Sequence, residues 1–379
     1  MEQVTGFVTS ESAIVEFPPT GRVEGFDLAR AVAVFGMVMV NYYVIFSSVD
    51  AFPRWYTLIA DHLIGRAAVL FVMLAGIGLV LIAQRAAPSY RGPQMRKVRM
   101  ILFKRSIVLL LMGALFMRYW GADILHFYGL FLTAGAFLLS ASGRRLWGLA
   151  LSCLLISTLL FCMMDGEPGI QEWIREPMPA AGIIDDFLFS GHYPAFPWLA
   201  FLFIGMWMGK HGVLSREEMK RKMLLWAGVV FLAVELLGRY APGLLIDRLG
   251  VREGSFLDIL FISNVFPMSP IFSISAAASS VIVIISALTI IRCPLFSRAA
   301  GVLARTGRLS LTIYIVHVFI GIGVYNLTSS LSHNGVYRIM TLSLTFGFCL
   351  TSIFAANLWF KYFSQGPFEW VLRRSSRSA

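Results

Sequence analysis

Charge is what this sequence lacks. Only 14% of its 379 residues are Asp, Glu, Lys or Arg, whereas soluble globular domains carry about a quarter. A water-soluble fold is excluded. Cysteine is sparse as well. Cys153, Cys162, Cys293 and Cys349 all lie inside or beside apolar stretches, which suggests neither a disulfide framework nor a metal site. A glycine-rich phosphate loop, a GxSxG elbow, a zinc-ligand pattern and a CxxC pair are all missing, so soluble-enzyme chemistry finds no motif. No fixed-period repeat supports an inverted-repeat transporter plan. The first twenty residues hold Glu2, Glu11 and Glu16 with no basic run ahead of the apolar stretch, unlike a secretory signal peptide.

What is present is apolar surface. Hydrophobic residues make up 58% of the chain, with 31 Phe, 9 Trp and 12 Tyr, and the mean hydropathy is +0.74. Disorder is incompatible with that composition. The apolar stretches run near twenty residues without alternation, which excludes an outer-membrane barrel. They fall near 27–47, 64–84, 104–117, 123–141, 146–164, 195–210, 223–239, 267–291, 309–328 and 339–362. The expectation is an all-α, polytopic helical membrane protein with about ten transmembrane helices.

Basic residues collect in alternate gaps. Arg85, Arg91, Arg96, Lys97 and Arg99 share one gap, and Arg144 and Arg145 the next on that side. Lys210 to Lys222, then Arg292 to Arg308, follow the same alternation, and the tail adds Arg373, Arg374 and Arg377. Intervening gaps are acidic or neutral: Asp165, Glu167, Glu172, Glu176, Asp185 and Asp186 face a single Arg175. Lys/Arg excess marks the cytoplasmic side, which places both termini in the cytoplasm. The organisation expected is a cytoplasmic tail at 1–21, a single transmembrane domain at 22–364 with an outward loop at 165–193, and a basic cytoplasmic tail at 365–379. The net charge of +11 then reflects topology and attraction to anionic lipid; the lipid bilayer is the expected partner and nucleic acid is not.

Ionisable groups inside a bilayer are costly and usually face a cavity or a partner. Asp27, Arg30 and Asn41 recur with Val34 and Val38 at helical spacing, so they share one face. They form either an ion pair with a packing amide or a polar stripe leading from an inner anion site to an outer chamber. Asp61, His62 and Arg66 open the segment at 64–84, with His62 and Arg66 one turn apart; His62 is a candidate general base oriented by Asp61, or else a solvated loop residue. Asp123 and His126, at i,i+3, form either a second such pair or an inter-helix clamp. Ser310, Tyr314 and His317 share a face near mid-bilayer, as bundle hydrogen bonds or as part of a substrate path. Glu235 and Arg239, at i,i+4, read as an ion pair. Gly205 and Gly209 form a small-xxx-small pattern suited to close packing.

Several stretches resemble YeiB-like bacterial membrane proteins, relatives of the heparan-alpha-glucosaminide N-acetyltransferases in a transmembrane acyltransferase superfamily. One is Arg22-Val-Glu-Gly-Phe-Asp27-Leu-Ala-Arg30 followed by Gly36 and Asn41. Others are Arg105, Gly113 and Gly121-Ala-Asp123-Ile-Leu-His126-Phe-Tyr128, then Pro197-Trp198 with Gly205 and Gly209. The last are Gly307-Arg308-Leu-Ser310-Leu-Thr312-Ile-Tyr314 and Gly366-Pro367-Phe-Glu369-Trp370 with Arg373. The resemblance spans nearly the whole chain and implies acyl transfer across the bacterial cytoplasmic membrane. Cytosolic acyl-CoA is then the co-substrate, no cofactor is bound, and a histidine in the position of His62 serves catalysis.

The chemistry can be stated from the residues alone. A thioester donor carries phosphates that want Lys/Arg, which Arg30, Arg105 and the basic loops 85–99 and 292–308 provide. An outer acceptor hydroxyl or amine, on a small molecule or an envelope glycan, needs a base such as His62 or His126. The developing oxyanion needs donors such as Asn41 or Tyr314. The expected catalytic set is therefore His62, Asp61, His126 and Asp123, and the substrate-binding set is Asp27, Arg30, Asn41, Arg66, Arg105, Tyr314 and His317, with no metal. Two alternatives stay open: a transporter or flippase using Asp27, Arg30, His317 and Glu235, and a non-catalytic membrane partner or resistance factor.

Overall fold

The computed structural model describes residues 23–46, 52–163, 187–188, 191–212, 214, 216–251, 260–266, 268–328 and 334–376. The 1–21 tail and most of the 165–193 loop lie outside them. Helices carry the architecture: α1 (Glu24–Ile45), α2 (Arg54–Leu63), α3 (Arg66–Ala86), α4 (Gly92–Met117) and α5 (Leu125–Phe137), which tightens into a 3₁₀ turn at Leu138–Ser140. They continue as α6 (Gly143–Met163), α7 (Ala195–Lys210), α8 (Glu217–Leu249), α9 (Pro270–Ile290), α10 (Ser297–Gly307), α11 (Ser310–Thr328), α12 (Asn334–Tyr362) and α13 (Pro367–Ser375).

Each apolar segment expected from the sequence coincides with a helix. Among the described residues, eight helical stretches are long and apolar enough to cross a membrane: α1, α2 with α3, α4, α6, α8, α9, α11 and α12. The α5 stretch and α7 are apolar but shorter. Large hydrophobics face outward, with Leu115 74% and Phe354 70% exposed. A surface this apolar is tolerable only against lipid, and the chain is a multi-pass membrane protein.

Three helices escape a hydropathy reading because they are short and polar: α2, α10 and α13. Asp61 and His62 sit at the end of α2 rather than opening α3, because Gly65 takes a positive φ of 72° that breaks the helix between them and Arg66. The helix over 104–117 also begins earlier than its apolar part, since α4 carries Arg96, Lys97 and Arg99 in its first turns. These side chains extend a helix into the aqueous boundary without cost to its backbone hydrogen bonds.

α3 lies at the centre, packed on α1, α5, α7 and α9. Its crossing with α7 brings backbone against backbone. A Cβ on Gly205 would lie 2.1 Å from Met73 O, and one on Gly76 would lie 2.2 Å from Leu202 O. Only hydrogen fits there, as in other membrane helix pairs held by close packing. Gly209 continues the seam against Val80. At the rim of α9, Ser269 accepts from Phe272 N at 3.2 Å and Pro270 opens the helix, the cap and first-turn residues that helices prefer.

The expected effect of Gly205→Ala is destabilisation by about 1–3 kcal/mol from overpacking. Gly148→Ala, at an exposed helical glycine with nothing within 4 Å of the added methyl, should be neutral or stabilising by up to about 1 kcal/mol. Thermal denaturation of the two detergent-solubilised variants separates these outcomes.

Candidate active site

α4 and α5 form an antiparallel hairpin whose closed end holds the most concentrated polar chemistry of the bundle. Their approach is set by Gly113, where a Cβ would fall 2.3 Å from His126 N. The chain turns through 118–124 and enters α5 with Asp123 fully buried. Its Oδ2 accepts from Leu125 N at 3.0 Å and His126 N at 3.3 Å, satisfying donors that a helix N-terminus leaves unpaired. The same oxygen meets His126 Nδ1 at 3.1 Å, while Oδ1 accepts from Tyr314 of α11 at 3.2 Å.

An ionised Asp123 can only accept, so Nδ1 carries the hydrogen of that contact, and in the neutral ring the lone pair is then on Nε2. Among the described residues Nε2 has no hydrogen-bond partner, and the His126 side chain is 13% exposed. A histidine with one nitrogen held by a carboxylate and the other open is the arrangement of a general base. The His126 ring lies 4.1 Å from that of Phe127, which in turn contacts Phe187 and Tyr193, and Phe116 contacts Tyr314, the partner of Asp123.

Beneath it opens a cavity of about 480 Å³, within the size range of small-molecule sites. Leu125 and Tyr128, on the first turn of α5, line it, so its wall includes residues within one helical turn of His126, while Asp123 and His126 are not themselves among the lining residues. Its walls include Phe26, Phe71, Leu74 and Leu132. Five arginines, Arg30, Arg85, Arg105, Arg308 and Arg373, also line it, against two carboxylates, Asp27 and Glu369. Both carboxylates are committed. Asp27 accepts from Arg30 Nη1 at 2.6 Å. Glu369 Oε1 accepts from Leu311 N at 2.9 Å and Thr312 N at 3.1 Å, and its Oε2 from Thr312 Oγ1 at 2.6 Å. The cavity therefore has a surplus of positive charge, which favours an anionic occupant.

The sequence-derived site residues divide into three groups. Asp27, Arg30 and Arg105 line the cavity, and Asp123, His126 and Tyr314 form the cluster above it. Asn41 and His317 meet each other: Asn41 Nδ2 lies 2.9 Å from His317 Nε2, and His317 Nδ1 donates to Ile313 O at 3.2 Å. His317 is fully buried and its ring lies 5.4 Å from that of Tyr314. The Asn41 amide is thus engaged and the Tyr314 phenol hydrogen is spent on Asp123, so neither stands ready for an oxyanion.

His62, Asp61 and Arg66 stand apart. His62 is exposed with its ring edge-on to Phe231 at 6.0 Å, and Asp61 is exposed beside Tyr43. Arg66 is buried, donates to His62 O at 3.0 Å and to Ser275 Oγ at 2.9 Å, and pairs with Glu235. This corrects the expected Glu235–Arg239 pair: Arg239 instead lies 6.0 Å from the Tyr240 ring. A buried guanidinium on another helix outcompetes a neighbour that can reach water. Arg85 and Arg308 come from the basic loops 85–99 and 292–308 expected to face a phosphate, whereas Tyr128, Arg373 and Glu369 were not expected as lining residues. The motifs around Gly307 and Gly366 were the available signal, and in space they touch through Glu369 and Thr312.

Two known families match the chain. Residues 22–246 match the family described as heparan-alpha-glucosaminide N-acetyltransferase, catalytic, which includes the Asp123–His126 pair. Residues 208–378 match a family described as a protein of unknown function, DUF418, which includes Tyr314, Arg308 and Glu369. No curated protein matches the chain. With more than half of its length inside the first match, the chain belongs to the YeiB-like, heparan-alpha-glucosaminide N-acetyltransferase-related family of helical membrane proteins.

Proposed function

We propose that this protein is a membrane acyltransferase. It moves an acyl group, acetyl in the simplest case, from an acyl-CoA donor to a hydroxyl or amine of a small-molecule or envelope-glycan acceptor. The observation that carries the reading is a coincidence of place. Leu125 and Tyr128, on the first turn of the helix that follows Asp123 and carries His126, are also part of the wall of an arginine-lined cavity.

In this reading the basic face is cytoplasmic, in the inner membrane of a bacterium. The donor's pyrophosphate rests among Arg30, Arg85, Arg105 and Arg308, and its apolar arm runs along Phe26, Phe71 and Leu74 toward α5. The acceptor approaches His126 from the opposite face. Nε2 takes the proton of the acceptor hydroxyl or amine as that atom attacks the thioester carbonyl. The new C–O or C–N bond forms as the C–S bond breaks, and the leaving thiolate takes its electron pair and then the proton from the imidazolium. Asp123 keeps the ring in the productive tautomer, and Tyr314 fixes Asp123.

Transport through Asp27, Arg30, His317 and Glu235 gains no support. His317 and Glu235 are absent from the lining of the cavity that holds Asp27 and Arg30, and each is bound to other partners.

Incubation of the purified protein with labelled acetyl-CoA and candidate acceptors tests the reading. His126→Ala is expected to lower turnover about 10²–10⁴-fold, and Asp123→Asn to lower it in the same direction by disturbing the tautomer. Donor affinity should stay within severalfold in both variants. His62→Ala should leave turnover unchanged. Arg105→Ala should raise the donor KM about tenfold with kcat nearly constant, as for loss of a ground-state contact to a phosphate. Full activity in His126→Ala removes the proposed base, and failure to bind acyl-CoA at all ends the reading.

A further inference from the structure

α13 is an unusual C-terminal helix. None of its residues is buried, yet it is pinned at two points: Glu369 holds the first turn of α11, and Ser376 just beyond its end accepts from Arg105 Nε at 3.2 Å. It lies across the mouth of the arginine-lined cavity, to which Glu369, Leu372 and Arg373 contribute. Against its other side is a second concavity of about 220 Å³, lined by Ser364, Gln365, Trp370, Arg373 and Arg374. Ser364, Gln365 and Arg373 line both spaces.

The chemistry of this annex is one-sided. Arg373 and Arg374 bring two guanidinium groups, and among the described residues no carboxylate pairs with either. Glu369, the one acidic residue of α13, is turned to α11 and occupied there. Trp370 is 53% exposed, with Arg374 5.7 Å from its ring. Two guanidiniums without a carboxylate partner among the described residues, beside a half-exposed indole, suit a phosphate ester attached to a flat ring: the phosphate takes the forked donors and the ring stacks on the tryptophan. The annex adjoins the main cavity through Ser364, Gln365 and Arg373, so one extended ligand can occupy both spaces.

We infer that the annex between α13 and the 364–365 turn is a phosphate-and-purine subsite that seats the nucleotide end of the donor, with Arg373 as the shared wall between nucleotide and arm. This rests on the acyl-CoA reading and adds to it the residues that grip the far end of the molecule. It also assigns a role to the Gly366-Pro367-Phe-Glu-Trp370 motif, in which Glu369 ties α13 down and Trp370 offers the ring.

The same phosphate chemistry could come from a lipid headgroup, so the test distinguishes the two. The full chain is placed in phosphatidylcholine nanodiscs, and the affinities of acetyl-CoA, 3′-dephospho-acetyl-CoA and S-acetyl-4′-phosphopantetheine are measured. Arg374 and Trp370 are exposed and line only the annex, so Arg374→Ala and Trp370→Leu leave the bundle intact. The expected result is that each variant weakens acetyl-CoA about tenfold, the size of one charge-assisted contact, and leaves S-acetyl-4′-phosphopantetheine unchanged. Arg374→Ala should have little further effect on the dephospho ligand. Equal weakening of all three ligands, or of none, overturns the subsite while the acyl-CoA reading survives. If none of the three binds the wild-type chain, that reading falls and the subsite with it. Loss of the nucleotide advantage when phosphatidylglycerol is included assigns the arginines to lipid phosphate and also overturns the proposal.

Discussion

The arrangement of this bundle turns on the acceptor capacity of one carboxylate. Asp123 is wholly buried and takes hydrogen bonds from two backbone amides at the start of α5, from the His126 ring and from the Tyr314 phenol. A carboxylate out of water survives only when its lone pairs are filled by donors. Each of those donors is thereby constrained. α5 begins where it does, the imidazole presents Nε2 away from the carboxylate, and α11 stands at a fixed height beside α5. The link also joins the two parts of the chain that match different families, since Asp123 lies in the first and Tyr314 in the second.

Close backbone crossings make this possible. With no hydrophobic drive between helices in lipid, association depends on contact and on polar links. Gly76 and Gly205 seat α7 on α3, and Gly113 seats α5 on α4 at the level of His126. Larger side chains there would lift α5 from α4 and move the histidine with it. The cavity below is a consequence of the same packing. It is walled by α1, α3, α4, α5 and α13 and by the turn between α10 and α11, so no single segment defines it.

The arginine surplus gives the space its polarity. Lysines and arginines near the basic end of such a bundle serve topology first, and many here lie in the first or last turns of helices. Arg30, Arg85, Arg105, Arg308 and Arg373 are different because they converge on one concavity whose acidic members are already paired. Charge that orients the chain in the bilayer is thus also placed to attract an anion, and Arg308 is fixed for this by Ser364 O at 3.1 Å and by the Phe360 ring.

The sequence by itself determined the helical membrane class, the positions of the apolar segments and the local Asp27–Arg30 and Asp123–His126 pairs. Hydropathy sums along the chain, and an i,i+3 contact needs only the helix itself. The polar helices α2, α10 and α13 were not legible, because they carry neither an apolar run nor enough length. Tertiary structure decided everything that depends on which helices are neighbours. Glu235 prefers Arg66, 169 residues away, to Arg239 one turn away, and Asn41 finds His317 across 276 residues. It also separated His126 from His62, the histidine that the family resemblance favoured, by exposing His62 and setting His126 against a buried carboxylate and the Phe127 ring. In a bilayer the cost of an unpaired polar group selects such partners, and that cost is set by packing in space, which linear order does not contain.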